Sequence, residues 1–481
     1  MSIQKTYWFW LVAMMMNCQP VLSQGAVKTI TTVDTVTFSI SDTTKYLIGK
    51  ISIAGNKKTR SYIILRELPF SEGEQYQGNE LIKKFDDARR QLMNTTLFHS
   101  ALVRVKDFEG PQVNVMIEVK ERWYFFPSPY FKLVDRNWNQ WIVEQKADLE
   151  RVNYGVSIEY YNATGRNDAI KVGIGGGYTR QVSLSYNRSY FDKKLKWGFA
   201  AGFSAGKNRE VNYKTVNDKQ VFVKDENAFL SSFSSAYTLL TYRRKIKTRH
   251  SFGVSWATGQ VKDTVISLNP SYFKSGTRRI SYPECFYNMS YFNLDYIPYP
   301  TRGYAAELLF TKRGVDHVTN MWRFVAKGFG NWHLGNKMFF NQTVYGILKL
   351  PFRQSYFNQQ LMGYGDASMQ GYEYYVVDGV AGGFLKSTLY HELVNFFIRI
   401  PPLKKGKDSQ HIPFRIVGKL YGNTGYVHNP QPGNNSLSNK MLYSGGFGID
   451  IVSFYDITIC LEYSFNQLGE NGLFLHRKSI F

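Results

Sequence analysis

Apolar and polar residues alternate from Leu195 to Gly206 with the two-residue period of a β-strand. One face carries apolar side chains, at Leu195, Trp197, Phe199, Ala201, Phe203 and Ala205. The opposite face carries small or polar residues, at Lys196, Gly198, Ala200, Gly202, Ser204 and Gly206. A strand of this kind fits a barrel that turns one face to lipid and the other to a wet lumen. The pattern therefore predicts a membrane-spanning strand.

The same register recurs along the rest of the chain, at Gln181–Asn187, Tyr304–Phe310, Phe414–Gly422 and Ile457–Phe465. At about 22 residues for each strand and its connection, residues 123–481 would form about 16 strands, an even number as such barrels require. Aromatic residues at Tyr296, Tyr299 and Tyr304 suggest an interfacial girdle. A soluble sandwich or propeller would need polar outer faces, so we predict an all-β transmembrane barrel.

A smaller α+β module is predicted ahead of the barrel, at residues 46–122, after a polar linker at 24–45. Its elements follow in the order strand, helix, helix, strand, strand, at Leu47–Ala54, Thr59–Leu68, Asn79–Met93, Ala101–Phe108 and Val113–Val119. The apolar face expected on the second helix comprises Leu81, Ile82, Phe85, Ala88 and Leu92.

Residues 1–23 have the pattern of a secretory signal peptide. Lys5 supplies the positive start, Tyr7–Met16 the apolar run, and Val21–Ser23 the small-residue cleavage site. A lipoprotein signal that uses Cys18 is the alternative. Either interpretation predicts an exported chain.

The net charge of +22 indicates an anionic partner. An exported chain rarely meets nucleic acid, so lipid phosphates and lipopolysaccharide are the better candidates, and no nucleic-acid partner is expected. The alternative is that lysine and arginine side chains line a wet lumen.

Three patterns could suggest an enzyme or a metal protein. Gly202–Gly206 matches a nucleophile elbow, but it lies in an alternating strand and no apolar helix follows. Gly173–Gly177 is rich in glycine, yet no amphipathic helix follows it. The eight histidines, with Cys285 and Cys460, have no metal-ligand spacing. We therefore predict no enzyme activity, no metal and no cofactor, and we expect both cysteines to be buried or lumenal.

Ile53-Ala54-Gly55-Asn56 resembles the turn that marks polypeptide-transport-associated (POTRA) domains, and the likeness covers the whole module. In the barrel, Asp295, Pro298, Pro300 and Gly303 fall in the pattern D-x-x-P-x-P-T-x-G. With Asn395–Pro401, Leu420–Tyr426 and Met369-Gln370-Gly371-Tyr372, these motifs resemble, in order, those of the BamA/TamA-type outer-membrane protein assembly superfamily. The chain is similar to a short member with one POTRA-like module.

The resemblance implies that a long loop, near residues 353–386, folds back inside the lumen. In the family its motif carries an arginine that pairs with acidic residues on the barrel wall. Here Gln370 takes the place of that arginine, and Phe397 and Asn423 take the places of the acids. The implied docking wall comprises Asn423, Gly425, Phe397 and Arg399.

Because these departures remove opposite charges together, we expect a neutral hydrogen bond from Gln370 to Asn423 in place of the ion pair. The alternative is that the loop is held by the packing of Tyr372, Tyr374 and Tyr375. The terminal Phe481 is similar to the signal by which barrel proteins are recognised for assembly.

By resemblance, the function is to assist insertion or translocation of β-rich client proteins at the bacterial outer membrane, with the N-terminal domain in the periplasm. Periplasmic or lipoprotein accessory subunits could take part. A dedicated exporter of one secreted protein, and a structural or channel barrel without insertase activity, remain alternatives.

Overall fold

The computed structural model describes residues 44–133, 140–144, 146–149, 152–192, 194–225, 227–274, 276–365, 367–400, 410–453 and 457–477. The predicted signal at 1–23 and the terminal Phe481 lie outside these ranges. The described residues belong to one compact unit, Asp42–Phe481.

The N-terminal module has four strands and two helices. They are β1 (Lys45–Ala54), α1 (Ser61–Arg66), β2 (Gln75–Gln77), α2 (Gly78–Asn94), β3 (Phe98–Glu109) and β4 (Gln112–Glu121). The sheet order is β2-β1-β4-β3, with β1 parallel to β4. Gly55 has a φ of 88°, and a Cβ added there would lie 1.9 Å from the Val119 carbonyl oxygen. The turn motif therefore needs its glycine for close backbone approach.

The core of this module uses most of the predicted apolar helix face. Leu81, Phe85, Ala88 and Leu92 of α2 are buried. Ile82 is 52% exposed, so its assignment to the buried face was wrong. Successive helical residues are about 100° apart, and the strip that the sheet covers is narrower than the apolar arc in the sequence.

The barrel strands and the elements in their connections follow in chain order. They are β5 (Phe125–Leu133), β6 (Val152–Tyr161), β7 (Asp168–Gly177), β8 (Thr179–Arg188), β9 (Trp197–Asn208), β10 (Glu210–Val216), β11 (Lys219–Lys224), β12 (Ser231–Tyr242), β13 (Thr248–Val261), α3 (Asp263–Leu268), β14 (Arg279–Leu294), β15 (Gly303–Arg313), β16 (Met321–Gly335), β17 (Met338–Leu350), α4 (Tyr356–Gln359), β18 (Gln360–Met362), β19 (Val377–Asp378), β20 (Ala381–Ile400), β21 (Gln410–His428), β22 (Met441–Val452), β23 (Thr458–Asn466) and β24 (Asn471–Arg477).

Sixteen of these strands form one sheet that runs from β5 to β24, each paired antiparallel to its neighbour. The predicted fold class, an all-β barrel of about 16 strands behind an α+β module, is confirmed. None of the helices within the described residues is long and apolar enough to span a membrane.

The alternation that predicted β9 is present in the structure. Trp197 and Phe203 are exposed on its outer face, whereas Gly198 and Ala200 are buried. Ser204 of the nucleophile-like pentapeptide lies within this strand and shares a hydrogen bond of 2.9 Å with Ser235. Gly173–Gly177 likewise lies within a strand, β7.

Several turns at one end of the barrel contact the N-terminal module, and we call this end the POTRA end. The Arg60 amide donates to the Gly165 carbonyl at 2.9 Å, and the Arg66 Nε donates to the Leu195 carbonyl at 2.9 Å. β15 starts at this end, so β17, two strands later, finishes at the far end. The long connection from β17 to β20 therefore enters the barrel from the side opposite the module.

The predicted aromatic girdle is correct for one of its three residues. Tyr304 is 55% exposed and stacks on Tyr291 with ring centroids 5.6 Å apart. Tyr299 is only 2% exposed and donates to Asp450 at 3.0 Å, while the Tyr296 hydroxyl accepts from Arg122. Both lie in the turn between β14 and β15, where strand alternation does not apply.

The two cysteines differ in environment. Cys460 is buried, as expected, but Cys285 is exposed, so that part of the expectation was wrong. Cys285 follows Glu284, which points inward and pairs with Arg313 at 2.7 Å. Alternation along β14 therefore turns Cys285 outward.

Candidate functional site

The candidate site is formed by the long connection between β17 and β20, residues 351–380, which we call the lumen loop. Its apolar residues pack against the inner wall of the barrel. The cluster comprises Leu361, Met362, Ala367, Met369, Tyr372 and Val377 of the loop with Phe384, Val427, Leu437 and Leu442. Met369 and Tyr372 of the motif are 2% and 3% exposed. Packing therefore contributes to holding the loop, as the tyrosine alternative expected.

Gln370 makes hydrogen bonds to two residues of the wall. Its Oε1 accepts from Asn423 Nδ2 at 3.3 Å, which is the contact that the sequence led us to expect. Its Nε2 donates to Glu462 Oε1 at 3.2 Å. Gln370 therefore uses both ends of its amide, one toward β21 and one toward β23.

Gly371 must be glycine for two reasons. Its φ of 90° lies in the left-handed region, and a Cβ added there would lie 2.8 Å from Ser444 Cβ. The side-chain amide of Asn466 donates a hydrogen bond from Nδ2 to the Gly371 carbonyl at 2.8 Å. The loop backbone therefore lies directly on β22 and β23.

The wall around Gln370 is charged, contrary to the expectation that its acids were lost together with the arginine. Lys419 Nζ lies 2.5 Å from Asp450 Oδ1 and 2.6 Å from Glu462 Oε1, and the side chains of all three are at most 4% exposed. His476 Nδ1 lies 2.6 Å from Glu462 Oε2.

The expectation was wrong because it followed only the aligned motif positions. In this chain the cation comes from β21, where Lys419 pairs with two wall carboxylates without an arginine from the loop. Parity could have found Glu462, since the strand predicted at Ile457–Phe465 places it on the face opposite Ile459 and Leu461.

The lumen loop also contacts the last hairpin of the sheet. Glu373 Oε1 lies 3.7 Å from His476 Nε2, and the rings of Tyr374 and Phe474 are 5.6 Å apart. The Tyr375 hydroxyl donates to Glu470 at 2.7 Å. Three consecutive loop residues therefore reach β24 or the turn before it.

The four predicted wall residues are not in one place. Asn423 contacts Gln370, and a Cβ added to Gly425 would lie 3.2 Å from Met369 Sδ. Phe397 is 65% exposed and pairs with Pro413, ten positions from Asn423 along β21. At about 3.3 Å per residue this is about 33 Å away, so placing Phe397 at the loop was wrong.

Phe397 is far from the lumen loop because it lies in the part of β20 that extends beyond the end of β17. The pairing between these two strands finishes at His391. Arg399 lies two residues further along β20, and its side chain is outside the described residues.

The Asp295–Gly303 motif forms a turn at the POTRA end. The Asp295 carboxylate accepts from the Thr301 amide at 3.0 Å and from its hydroxyl at 2.6 Å. The Pro300 carbonyl accepts from Asn331 at 2.8 Å, and Gly303 has a φ of 104°. The Ile297 amide in this turn, beside Pro298, donates to Asn94 of α2 at 3.0 Å. The motif therefore forms part of the barrel surface that contacts the N-terminal module.

A buried ion pair that no sequence pattern predicted holds the module on the barrel. Glu67, just after α1, receives two hydrogen bonds from Arg243, at 2.5 and 2.7 Å, and one from the Tyr190 hydroxyl at 3.0 Å. Burial raises the pKa of Glu67, but the charge and hydrogen bonds of Arg243 outweigh it, so the pKa lies below its ordinary value. Glu67 is therefore ionised and paired at neutral pH.

No cluster of three or more His, Cys, Asp or Glu side chains that could hold a metal occurs within the described ranges. The arrangement instead offers polar and ionic contacts through which a loop, a wall and a terminal strand position one another.

Comparison with known proteins supports this architecture. Residues 46–122 match the POTRA family model, described as surface antigen variable number repeat. The outer membrane protein assembly factor BamA of Neorickettsia risticii (strain Illinois) is 33% identical over 87 residues, which is 18% of this chain and 11% of that protein. The matched stretch thus spans about a tenth of that relative.

Solved structures resemble nearly the whole chain in fold. CdiB from Escherichia coli has a TM-score of 0.53 at 11% identity and covers 90% of this chain and 75% of its own. BamA from Haemophilus ducreyi lacking POTRA domains 1–3 has a TM-score of 0.49 at 14% identity, covering 90% and 83%. The resemblance is confirmed by sequence for the POTRA domain, and the barrel shares the fold of CdiB.

Proposed function

We propose, from a POTRA domain followed by a sixteen-stranded barrel of this superfamily's fold, that the chain assists insertion or translocation of β-rich client proteins at the bacterial outer membrane. The barrel would cross the outer membrane and the POTRA domain would lie in the periplasm. Clients would be polypeptides with unpaired strands, and no nucleotide or cofactor would be needed, because pairing the edges of a strand is itself favourable.

The observation that carries the proposal is the free edge of β5. Among the described residues, β5 pairs only with β6, and β24 pairs only with β23. These two strands are the ends of the sheet and define a seam. A seam without a complete hydrogen-bond ladder is the place where a client strand could pair with the barrel.

Two prolines weaken this seam. Pro127 and Pro129 are two residues apart in β5, so their nitrogens point toward the same edge. A proline is accommodated in an edge strand when its nitrogen faces away from the neighbouring strand, which here is β6. The free edge of β5 therefore lacks two N–H donors but keeps the carbonyls beside them, which can accept from an incoming strand.

The POTRA domain offers a second edge. β3 lies at the end of the order β2-β1-β4-β3 and is 12 residues long. Capture of an extended segment by strand addition to such an edge needs only backbone hydrogen bonds, so it suits clients of varied sequence. Because the domain is held on the barrel through Glu67 and Arg243, a captured segment would stay close to the barrel turns.

The experiment is a folding assay in vesicles of outer-membrane lipids that contain the purified chain. An unfolded outer-membrane barrel is added, and its folding is followed by the mobility shift on unheated gels. Cys285 and Cys460 are first replaced with serine, and a cysteine pair is placed on the outer face of β5 and β24, at the exposed positions Pro129 and Leu473. Oxidation then locks the seam, and reduction of the same sample provides the matched control.

The proposal expects faster client folding with the reduced protein and loss of that gain on oxidation. No acceleration by the wild-type chain would overturn insertion as its function. Equal acceleration in the oxidised and reduced samples would overturn the role of the seam.

A dedicated exporter of one secreted protein is the second candidate, favoured by the fold shared with CdiB. The lumen loop fills part of the route that a translocating chain would take, so an exporter has to displace it. Conductance across a planar bilayer that rises when the loop is deleted, without any acceleration of client folding, would favour export. Absence of both activities would favour a structural or channel barrel.

A further inference from the structure

We propose that the chain binds the headgroup of an anionic phospholipid in a cleft between α2 of the POTRA domain and the outer face of the barrel at β14–β16. The inference depends on the barrel standing in a membrane and not on how clients are handled. It assigns a ligand of defined chemistry to one place at the POTRA end.

The polar half of the cleft is cationic. Lys83 of α2 faces Lys247 and Arg302, which lie in two barrel turns at the POTRA end. No ion pair joins any of these three cations to another residue that the structure describes. Their charges are therefore available to a ligand.

The two acidic side chains that line the same half of the cleft already have partners. Asp87 pairs with Arg90 on the same helix, and Asp295 accepts the hydrogen bonds of Thr301 that close its turn. Lys83, Arg90, Lys247 and Arg302 line the cleft against these two acids, so it keeps an excess of positive charge, and an anion is the complementary ligand.

The other half of the cleft is aromatic and faces the membrane. It shares Asn293, Arg302 and Gly303 with the cationic half and continues to Tyr304 and Trp332. Tyr304 is 55% exposed and Trp332 is 53% exposed. Both lie on the lipid side of their strands, because Ala305 and Asn331 next to them are buried on the lumen side.

An aromatic belt with cations just beyond it marks the boundary between acyl chains and headgroups. A ligand that fills this cleft must carry negative charge at one end and hydrocarbon at the other. The two ends must also lie at the depths in the membrane where a phospholipid has its headgroup and its acyl chains. An acidic peptide would satisfy the cations but leave the two rings without a partner. A phospholipid of the POTRA-side leaflet satisfies both halves.

The experiment measures lipid retention by native mass spectrometry on the full chain in a neutral detergent. Short-chain phosphatidylglycerol, phosphatidylcholine and inorganic phosphate are the probes. The test variant combines Lys83→Gln, Lys247→Gln and Arg302→Gln. A control variant removes the same charge from exposed lysines at the POTRA end outside the cleft, with Lys57→Gln, Lys194→Gln and Lys337→Gln.

The wild type should retain one phosphatidylglycerol in preference to phosphatidylcholine. Each cation near a membrane surface contributes about a fivefold gain in affinity for an anionic lipid, so the test variant should bind about a hundredfold more weakly. The control variant should bind as the wild type does. Trp332→Ala should weaken retention of the lipid, because it removes an apolar contact.

Three results would overturn the proposal. They are equal loss in the control variant, equal retention of phosphatidylcholine, and displacement of the lipid by equimolar inorganic phosphate, which would indicate a site for free anions. If the triple variant fails to fold on unheated gels, Arg302→Gln alone should still weaken binding about fivefold. Unchanged binding by that single variant would also refute the site.

Discussion

Replacing Glu67 with glutamine should loosen the POTRA domain from the barrel. The side chains of Glu67 and Arg243 are 2% and 7% exposed, and two hydrogen bonds join them. Glutamine keeps the size of the side chain but removes its charge. The Arg243 guanidinium would then remain buried without a counter-charge, held by Tyr190 and the Ile246 carbonyl.

The magnitude follows from that unpaired charge. Breaking a buried ion pair by removing one partner costs about 3–5 kcal/mol. Because Arg243 keeps its hydrogen bonds to the Ile246 carbonyl, at 2.9 and 2.6 Å, we expect the lower end of this range. About 3 kcal/mol corresponds to a change of more than a hundredfold in the equilibrium between docked and undocked domain.

Hydrogen exchange at a single amide measures this equilibrium. The Arg60 amide of the POTRA domain donates to the Gly165 carbonyl of the barrel at 2.9 Å, so it exchanges when the interface opens. Glu67→Gln should raise its exchange rate about a hundredfold. Glu118→Gln is the matched control, because it breaks the pair between Arg104 and Glu118, whose side chains are 45% and 41% exposed. An exposed pair contributes at most about 1 kcal/mol.

The double variant Glu67→Gln, Arg243→Gln separates charge from packing. Because it also removes the buried charge of Arg243, it should exchange more slowly at Arg60 than Glu67→Gln alone. An Arg60 exchange rate in Glu67→Gln within about threefold of the wild-type rate, instead of the expected hundredfold rise, would refute the account of the interface.

Four further predictions concern the loop, the wall and pH. Gln370→Ala removes two hydrogen bonds and should cost about 1–2 kcal/mol, seen as faster protease cleavage of the lumen loop. Gly371→Ala should displace the loop more, because its Cβ would meet Ser444 at 2.8 Å, and cleavage should exceed that of Gln370→Ala. Lys419→Met leaves two buried carboxylates without their cation and should lower the free energy of unfolding in urea by about 3–5 kcal/mol. The pKa of Glu67 is lower in the folded protein than its ordinary value of 4.5. The contribution of Glu67 to docking is therefore fully present above pH 4.5 and is lost as the pH falls through the folded pKa. Distances between spin labels on the domain and on the barrel should broaden in acid.

Each of these outcomes has a control or a contrary result. Unchanged cleavage in Gln370→Ala would show that the two hydrogen bonds of Gln370 do not hold the loop. Gly422→Ala is the control for Gly371→Ala, because a Cβ there meets nothing within 4 Å. Lys106→Met is the control for Lys419→Met, and equal losses would contradict the buried network. Broadening in acid that persists in Glu67→Gln would assign the pH dependence to another group.

The sequence predicted what depends on local pattern. Alternation at Leu195–Gly206 and Tyr304–Phe310 identified strands of the barrel, because a strand whose two faces meet different surroundings repeats every two residues. The Gly55 turn was readable because its backbone conformation needs glycine. The contact between Gln370 and Asn423 was also predictable, because both departures from the family motif remove a charge.

The sequence could not predict contacts that depend on how distant segments meet. Glu67 and Arg243 are 176 residues apart, and nothing local to either indicates the other. Lys419 and Glu462 both pair with Gly448 of the strand between them, so their contact depends on the register of three strands. The position of Phe397 was predicted wrongly because the sequence does not show where β20 extends beyond the end of β17.

The outer-membrane proteome after depletion of this protein tests the proposed function most directly. The account predicts a fall in many barrel proteins, since capture by backbone pairing at β3 and β5 does not discriminate among clients by sequence. Loss of one surface protein, or of none, would contradict it and leave an exporter or an auxiliary barrel.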